Sequence, residues 1–281
     1  MSRVKVITDS AGDIPSELIS GLNIGIVPLS ITIDDKTYID LIELSTKDFW
    51  TLADGTDSLP MTAAPSSEAF KDAYRVASSE GFTEIMVVTL SAKLSATYQS
   101  AKTAAEEFAA ENNTVRIEVL DTELATFGEG KLAVYAAQNS DRPLVELIAE
   151  VTSLRERTEV IGTIDTLDNL RKGGRIGAAA ATLGSLLSVK PIIEVRDGVV
   201  ESPSKQRTRK RALDYLIDYC QQRAEIIDEI AVISANAPDT EEFVSRLKGI
   251  FPTKTIVVTT IGPVIGSHAG RGTIGVTFTT I

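Results

Sequence analysis

Apolar residues along this chain fall into short runs separated by polar, glycine- or proline-containing turns, and most runs alternate with segments of helical period. Val4–Thr8 predicts a strand closed by Thr8-Asp9-Ser10, and Pro15 suits the first turn of a following helix. Ile24–Leu29 continues into Ser30–Ile33, and Asp34-Asp35-Lys36 predicts a hairpin turn before Thr37–Ile39. Ser45 and Asp48 have capping-box spacing, which predicts a short helix over Thr46–Ala53. Pro60–Ser67 is an extended, proline-bounded piece that places Thr62 on irregular backbone. A helix is predicted from Glu68 to Ser79, with Gly81 as its C-cap. Ile85–Leu90 predicts a strand buried on both faces, and its hydroxyl-rich end, Ser91 to Thr97, feeds a helix over Thr97–Glu111. Val115–Leu120 is the next strand, followed by helices over Lys131–Gln138 and from Pro143 to Arg157.

A second regime begins near Thr158. It holds a strand at Val160–Ile164, a helical turn at Leu167–Arg171 capped by Gly173, and a helix of small and aliphatic residues over Ala178–Val189. Asp197-Gly198 predicts a hairpin between Pro191–Val195 and Val199–Ser202, after which a helix runs to Arg223. A strand at Ile230–Ser234, a helix at Thr240–Ile250 and strands at Thr255–Thr260 and Thr273–Thr280 complete the chain; the glycine-rich stretch 262–272 receives no element. The alternation predicts an α/β fold class with two α/β domains, 1–157 and 158–281. The first has a mainly parallel sheet covered by helices and the second is a mixed α/β sandwich, with the hairpin region 27–60 a candidate to pack on the second.

Composition narrows the function classes. With 281 residues, 43 % apolar and 24 % charged, the chain has the make-up of an ordinary globular protein. Its 28 basic and 39 acidic residues leave a net charge of −11, which repels nucleic acid and anionic bilayers. One cysteine, Cys220, and one histidine, His268, exclude an internal disulfide and a zinc cluster. The N-terminal stretch lacks an apolar signal core and no run approaches the ~20 apolar residues of a membrane span, so a cytoplasmic protein without stable membrane insertion is expected. Against the acidic total, Arg171 and Arg175 flank a glycine-rich turn, and Lys205, Arg207, Arg209, Lys210 and Arg211 crowd a helix start. These are candidates for docking an anionic partner or a phosphate. The turn lacks the spacing of a Walker loop.

The candidate chemistry centres on hydroxyls and one imidazole. Ser95 stands where a strand end meets a helix start, a place where backbone N–H groups without partners receive anions; a plain N-cap role for Ser91 or Ser95 carries equal weight. Thr62 lies in its proline-bounded segment, and His268 sits among glycines that let a ligand approach closely. Two hypotheses compete. A serine hydrolase acting on acyl esters would use Ser95 as nucleophile and His268 as base, with Asp9 or Asp121 as candidate third members, but the G-x-S-x-G elbow is absent. A binding protein in which Thr62, Ser95 and His268 hold a ligand head group requires no metal, cofactor or activated cysteine, and accounts for more of what is missing.

Several blocks together resemble the DegV family: Thr8-Asp9-Ser10, Pro60-x-Thr62 with Pro65-Ser66, Leu94-Ser95-x-Thr97-Tyr98-Gln99-Ser100-Ala101, Leu170-Arg171-Lys172-Gly173-Gly174-Arg175-Ile176, Leu187-Ser188-x-Lys190-Pro191 and Gly262-Pro263-Val264-Ile265-Gly266-x-His268-x-Gly270. They follow the family order across essentially the whole chain. The resemblance implies a bacterial, non-catalytic lipid-binding protein, with one long-chain fatty acid held between two α/β domains and its tail buried in an apolar tunnel. The carboxylate would be bound by Thr62, Ser95 and His268, with the backbone approached at Ala96. Some members present the acyl chain as the substrate subunit of an ATP-dependent fatty acid kinase, so such a kinase is an implied partner. Here Ala63-Ala64 replace the usual Ser-Gln, Ala96 replaces a glycine, and Arg271 replaces a proline.

Overall fold

The computed structural model describes residues 3–56, 58–180 and 189–281. The first half runs β1 (Val4–Asp9), α1 (Ser16–Ile19), β2 (Ile24–Val27), β3 (Ser30–Ile33), β4 (Lys36–Ile39), α2 (Thr46–Asp54), β5 (Met61–Ala63), α3 (Ser67–Ser79), β6 (Glu84–Thr89), α4 (Thr97–Glu111), β7 (Arg116–Asp121), α5 (Phe127–Gln138) and α6 (Leu144–Glu156). The second runs β8 (Thr158–Thr163), α7 (Asp168–Lys172), β9 (Lys190–Arg196), β10 (Val199–Gln206), α8 (Arg209–Gln221), β11 (Ile227–Ser234), α9 (Thr240–Ile250), β12 (Ile256–Thr260), α10 (Pro263–Ala269) and β13 (Ile274–Thr280). The small-residue helix predicted over 178–189 falls for the most part on 181–188, outside the described residues.

The expected parallel sheet is present as a four-stranded sheet of order β2-β1-β6-β7, parallel throughout. The second sheet has six strands in the order β10-β9-β8-β13-β11-β12. It is mixed: only β11 and β12 run parallel, because β13 returns between β8 and β11. A third, antiparallel sheet of three strands, β4-β3-β5, is built on the predicted hairpin, whose turn residues Asp34 and Asp35 both take positive φ. Thr62 therefore belongs to a short strand, opposite Ile31, and not to irregular backbone. Ser45 caps α2 through the Asp48 N–H at 3.1 Å, as its spacing predicts.

One apolar cluster passes through both larger sheets, from Val6 and Met86 through Leu132 and Ala133 of α5 to Val160 and Ile233. Helix α5 is buried along nearly its whole length and begins at Phe127, earlier than predicted, because Gly128 and Gly130 lie inside its first turns, Gly130 against the 3-10 turn at Ser10–Gly12 and Gly128 against Val160 of β8.

Carboxyl groups gather where β1 ends. The Asp9 oxygens accept the N–H groups of Ala11 at 2.9 Å and Leu90 at 3.0 Å, and Glu129 accepts the Thr8 hydroxyl at 3.3 Å while its second oxygen has no hydrogen-bond partner among the described residues. Removal from water pushes Asp9 and Asp40 up to about 6, Asp13 up to about 7 and Glu129 well above the usual carboxylate range, with Asp9 adding repulsion to Glu129. Glu129 is thus held as the neutral acid. A raised folded-state pKa means that the folded chain binds more protons than the unfolded one above about pH 4.5, so this group's contribution is favourable in acid and is lost as pH rises. Replacing Glu129 with Gln is expected to leave stability near that of the parent at pH 5 and to exceed it at pH 8, measured by denaturant unfolding; a stability difference independent of pH would contradict the assignment.

Candidate ligand-binding site

A largely apolar cavity of about 250 Å³ is lined from both larger sheets and from the three-stranded one, with Leu29, Leu90, Ile193, Val200, Ile233 and Val264 among its walls. Its polar lining includes Thr62, Ser95, Arg175 and His268, and these four are joined by contacts through their neighbours. Thr62 Oγ1 lies 2.9 Å from His268 Nε2. The His268 ring lies against Gly173, where a Cβ would stand 2.5 Å from Nδ1, so no residue larger than glycine fits beside it. Arg175 spans from that turn to the next element: one guanidinium nitrogen donates to the Gly173 carbonyl at 2.7 Å, and Nε donates to the Leu94 carbonyl at 3.0 Å, beside Ser95.

Each side chain has a local reason for its place. His268 lies in the last turn of α10, a short helix that the glycine-rich sequence did not predict. Gly266 is needed inside it because a Cβ would meet Phe49 Cε1 and Trp50 Cζ2, both at 2.9 Å. Gly173 caps α7, and Gly174 takes φ 71° so that the Arg175 N–H reaches the Leu170 carbonyl at 2.9 Å. Ser95 precedes α4 and accepts the Thr97 N–H at 3.3 Å, with its hydroxyl 2.9 Å from Thr97 Oγ1; Ala96 is the half-turn residue between them and lines the cavity. The start of α4 thus borders the cavity at Ser95 and Ala96.

Burial, and then the Arg175 charge, lower the His268 pKa to about 4, so the imidazole is neutral at ordinary pH. Among the described residues its Nδ1 has no hydrogen-bond partner. With Nδ1 unprotonated, Nε2–H donates to Thr62 Oγ1, and the Thr62 hydroxyl proton is free to be given to a ligand. The cation of the site is Arg175, whose place on the cavity wall sequence reasoning did not separate from the basic docking set. The arrangement offers hydroxyl donors, a helix start and a fixed guanidinium to an anionic head group, above an apolar chamber.

The hydrolase arrangement is not assembled. Among the described residues no hydrogen bond joins Ser95 to His268, and neither candidate acid orients the ring: Asp9 is spent on Ala11 and Leu90, and Asp121 accepts from Ala92 and Glu123. The basic set is divided. Arg171 is exposed, 3.8 Å from Asp168, whereas Arg209 is held by both Asp239 oxygens at 2.7 and 2.8 Å. Lys205, Arg207, Lys210 and Arg211 are exposed, Lys205 at the end of β10 and the others at the start of α8. Arg271 pairs with Asp54 at 2.7 Å and its guanidinium lies over the Trp50 ring. No helix among the described residues is long and apolar enough to cross a membrane.

Two sheets meet at an apolar chamber with a hydroxyl-imidazole edge, and comparison with known proteins places this two-sheet α/β fold in a family. The chain belongs to the DegV family, described as uncharacterised proteins, whose model matches residues 3–280. A DegV domain-containing protein of Clostridium perfringens is 34 % identical over 287 residues, covering 99 % of this chain and 98 % of the relative. Among solved structures, a fatty-acid-binding DegV family protein from Thermus thermophilus is 30 % identical with a TM-score of 0.88, covering 99 % of this chain and 100 % of that one. DegV of Bacillus subtilis, a fatty acid binding protein, is 27 % identical with a TM-score of 0.88 and full coverage of both chains.

The single histidine gives one imidazole signal, which makes the electrostatics directly observable. A pH titration by NMR should place its midpoint near 4, and in Gly173→Ala, where the added methyl displaces the ring toward solvent, the midpoint should move up toward the free value of about 6.5. A parent midpoint at the free value would show that the ring is not held in the cavity wall.

Proposed function

We propose that this chain binds one long-chain fatty acid, with the carboxylate at Thr62, Ser95 and His268 and the tail in the apolar cavity, and that it carries or presents the acyl group without transforming it. The observation that carries the reading is the Thr62–His268 pair at 2.9 Å on the wall of an otherwise apolar chamber. The fatty-acid-binding relatives from Thermus thermophilus and Bacillus subtilis support the ligand class. Physical terms agree with it. The Thr62 and Ser95 hydroxyls can donate to a carboxylate, the neutral His268 imidazole orients the Thr62 hydroxyl by donating to its oxygen, Arg175 supplies the compensating charge, and each methylene buried contributes about 0.8 kcal/mol. The tail is sequestered, and the head group lies near the segments that carry Arg171 and Arg175. An ATP-dependent fatty acid kinase is the partner such a presentation implies, with the exposed Arg171, Arg207, Lys210 and Arg211 as its docking charges and the cytoplasm as the compartment. Arg209 is committed to Asp239 and is left out of that set.

Mass spectrometry of lipid extracted from the purified protein is expected to find a long-chain fatty acid. Thr62→Val and His268→Ala should each weaken fatty acid binding by about tenfold or more, the size of a lost hydrogen bond to a charged group. An absence of bound lipid, together with no measurable affinity in the parent, would overturn the reading. For the presentation step, charge reversal at Arg207 and Arg211 should abolish binding to a fatty acid kinase and leave fatty acid affinity unchanged; unaltered kinase binding would remove these residues from the interface.

A further inference from the structure

Asp13 joins its own segment to two others far away in sequence, at Thr126 and at Thr259–Gly262, both of which reach the cavity wall. Its Oδ1 accepts the N–H of Gly262, the N-cap of α10, at 2.8 Å; its Oδ2 accepts the Thr126 hydroxyl at 2.6 Å; and its carbonyl accepts the Thr259 hydroxyl. Gly262 begins the helix that carries His268 in its last turn, and Thr126 lies on the cavity wall. Thr126 is also strained. It takes φ 51° and ψ −147°, a conformation a β-branched residue adopts only when its surroundings hold it there, and its hydroxyl is held by Asp13.

We propose that Asp13 is the positioning residue of the acid-binding site: its carboxylate fixes the start of α10 and the Thr126 backbone, and its ionisation couples fatty acid affinity to pH. The inference rests on the fatty-acid reading above. As an acceptor-only carboxylate, Asp13 satisfies both donors at once. When protonated, one oxygen becomes a donor, and the Gly262 or the Thr126 bond must be reversed or given up. The groups facing it are all acids, namely Asp9 from β1, Asp40 after β4, Glu129 from α5 and the exposed Glu17 of α1, so burial and repulsion hold its proton into the neutral range, at about 7. His268, neutral above about 4, and a free carboxylic acid, ionised above about pH 5, do not change state across the same window. Asp13 and its acidic neighbours are what titrates.

The test is fatty acid affinity measured from pH 5.5 to 8.5 on the full chain, alongside the Tm of each protein. The parent should bind about tenfold tighter at the alkaline end. Asp13→Asn, which cannot ionise, should stay at the parent's acid-end affinity throughout, while Asp40→Asn, which removes a facing acid and keeps Asp13, should retain the rise with its midpoint at lower pH. Asp13→Ala, which removes both bonds, should bind more weakly than the parent at every pH. If Asp13→Asn keeps the parent's rise, or the parent shows none, the proposal fails while the binding site stands. If the parent binds no fatty acid at any pH, the functional reading fails instead. A merely structural Asp13 would lower Tm in both variants and leave the pH profile of the folded protein in place.

Discussion

The structure depends on a core that two sheets share and do not fill. The apolar cluster is continuous from Val6 to Ile233, and α5 lies buried within it, so neither sheet carries its inner face independently of the other. A chamber of about 250 Å³ opens into that seam, lined by apolar side chains of both sheets. Any apolar occupant of that seam would add stability by mass action, so occupancy and stability are linked. Everything polar about the site is arranged around the edge of that void.

Regular elements were legible because their local signals were self-sufficient. The helices Thr97–Glu111 and Thr240–Ile250 stand where their pattern puts them, and Asp197-Gly198 turns the β9–β10 hairpin. What failed was local reading of glycine. The stretch 262–272 looks unstructured by propensity, yet Gly266 is a packing requirement of α10 against Phe49 and Trp50, a fact that lives in tertiary contact and leaves no trace in the neighbouring sequence. Thr62 was misread for a related reason: its proline-bounded segment is short, and only pairing with β3 makes it a strand. β13, threaded between β8 and β11, has a pairing that no one-dimensional pattern specifies.

The candidate site was partly legible, and the legible part came from motif resemblance more than from chemistry. Thr62, Ser95 and His268 do line one cavity, but nothing in composition or spacing joins residues 206 positions apart as Thr62 and His268 are. Arg175 was visible only as one more basic residue; its role as the charge beside His268 follows from two carbonyls, of Gly173 and Leu94, that aim it inward. Asp13 gave no signal at all beyond being an acid near a helix start. Its partners, Thr126 and Gly262, are fixed by how the chain returns, not by what surrounds it in sequence.

The close packing at Gly266 has an optical consequence. The chain has a single tryptophan, and the benzo edge of that indole lies against the helix whose last turn holds His268, with the Arg271 guanidinium over its ring. Indole emission responds to the charge and polarity around the ring. A displacement of α10 by a fraction of an ångström would alter both the contact with Gly266 and the distance to that cation. Trp50 is thus a built-in fluorophore for the state of the site, one that reports on the unlabelled protein without a probe inside the cavity itself.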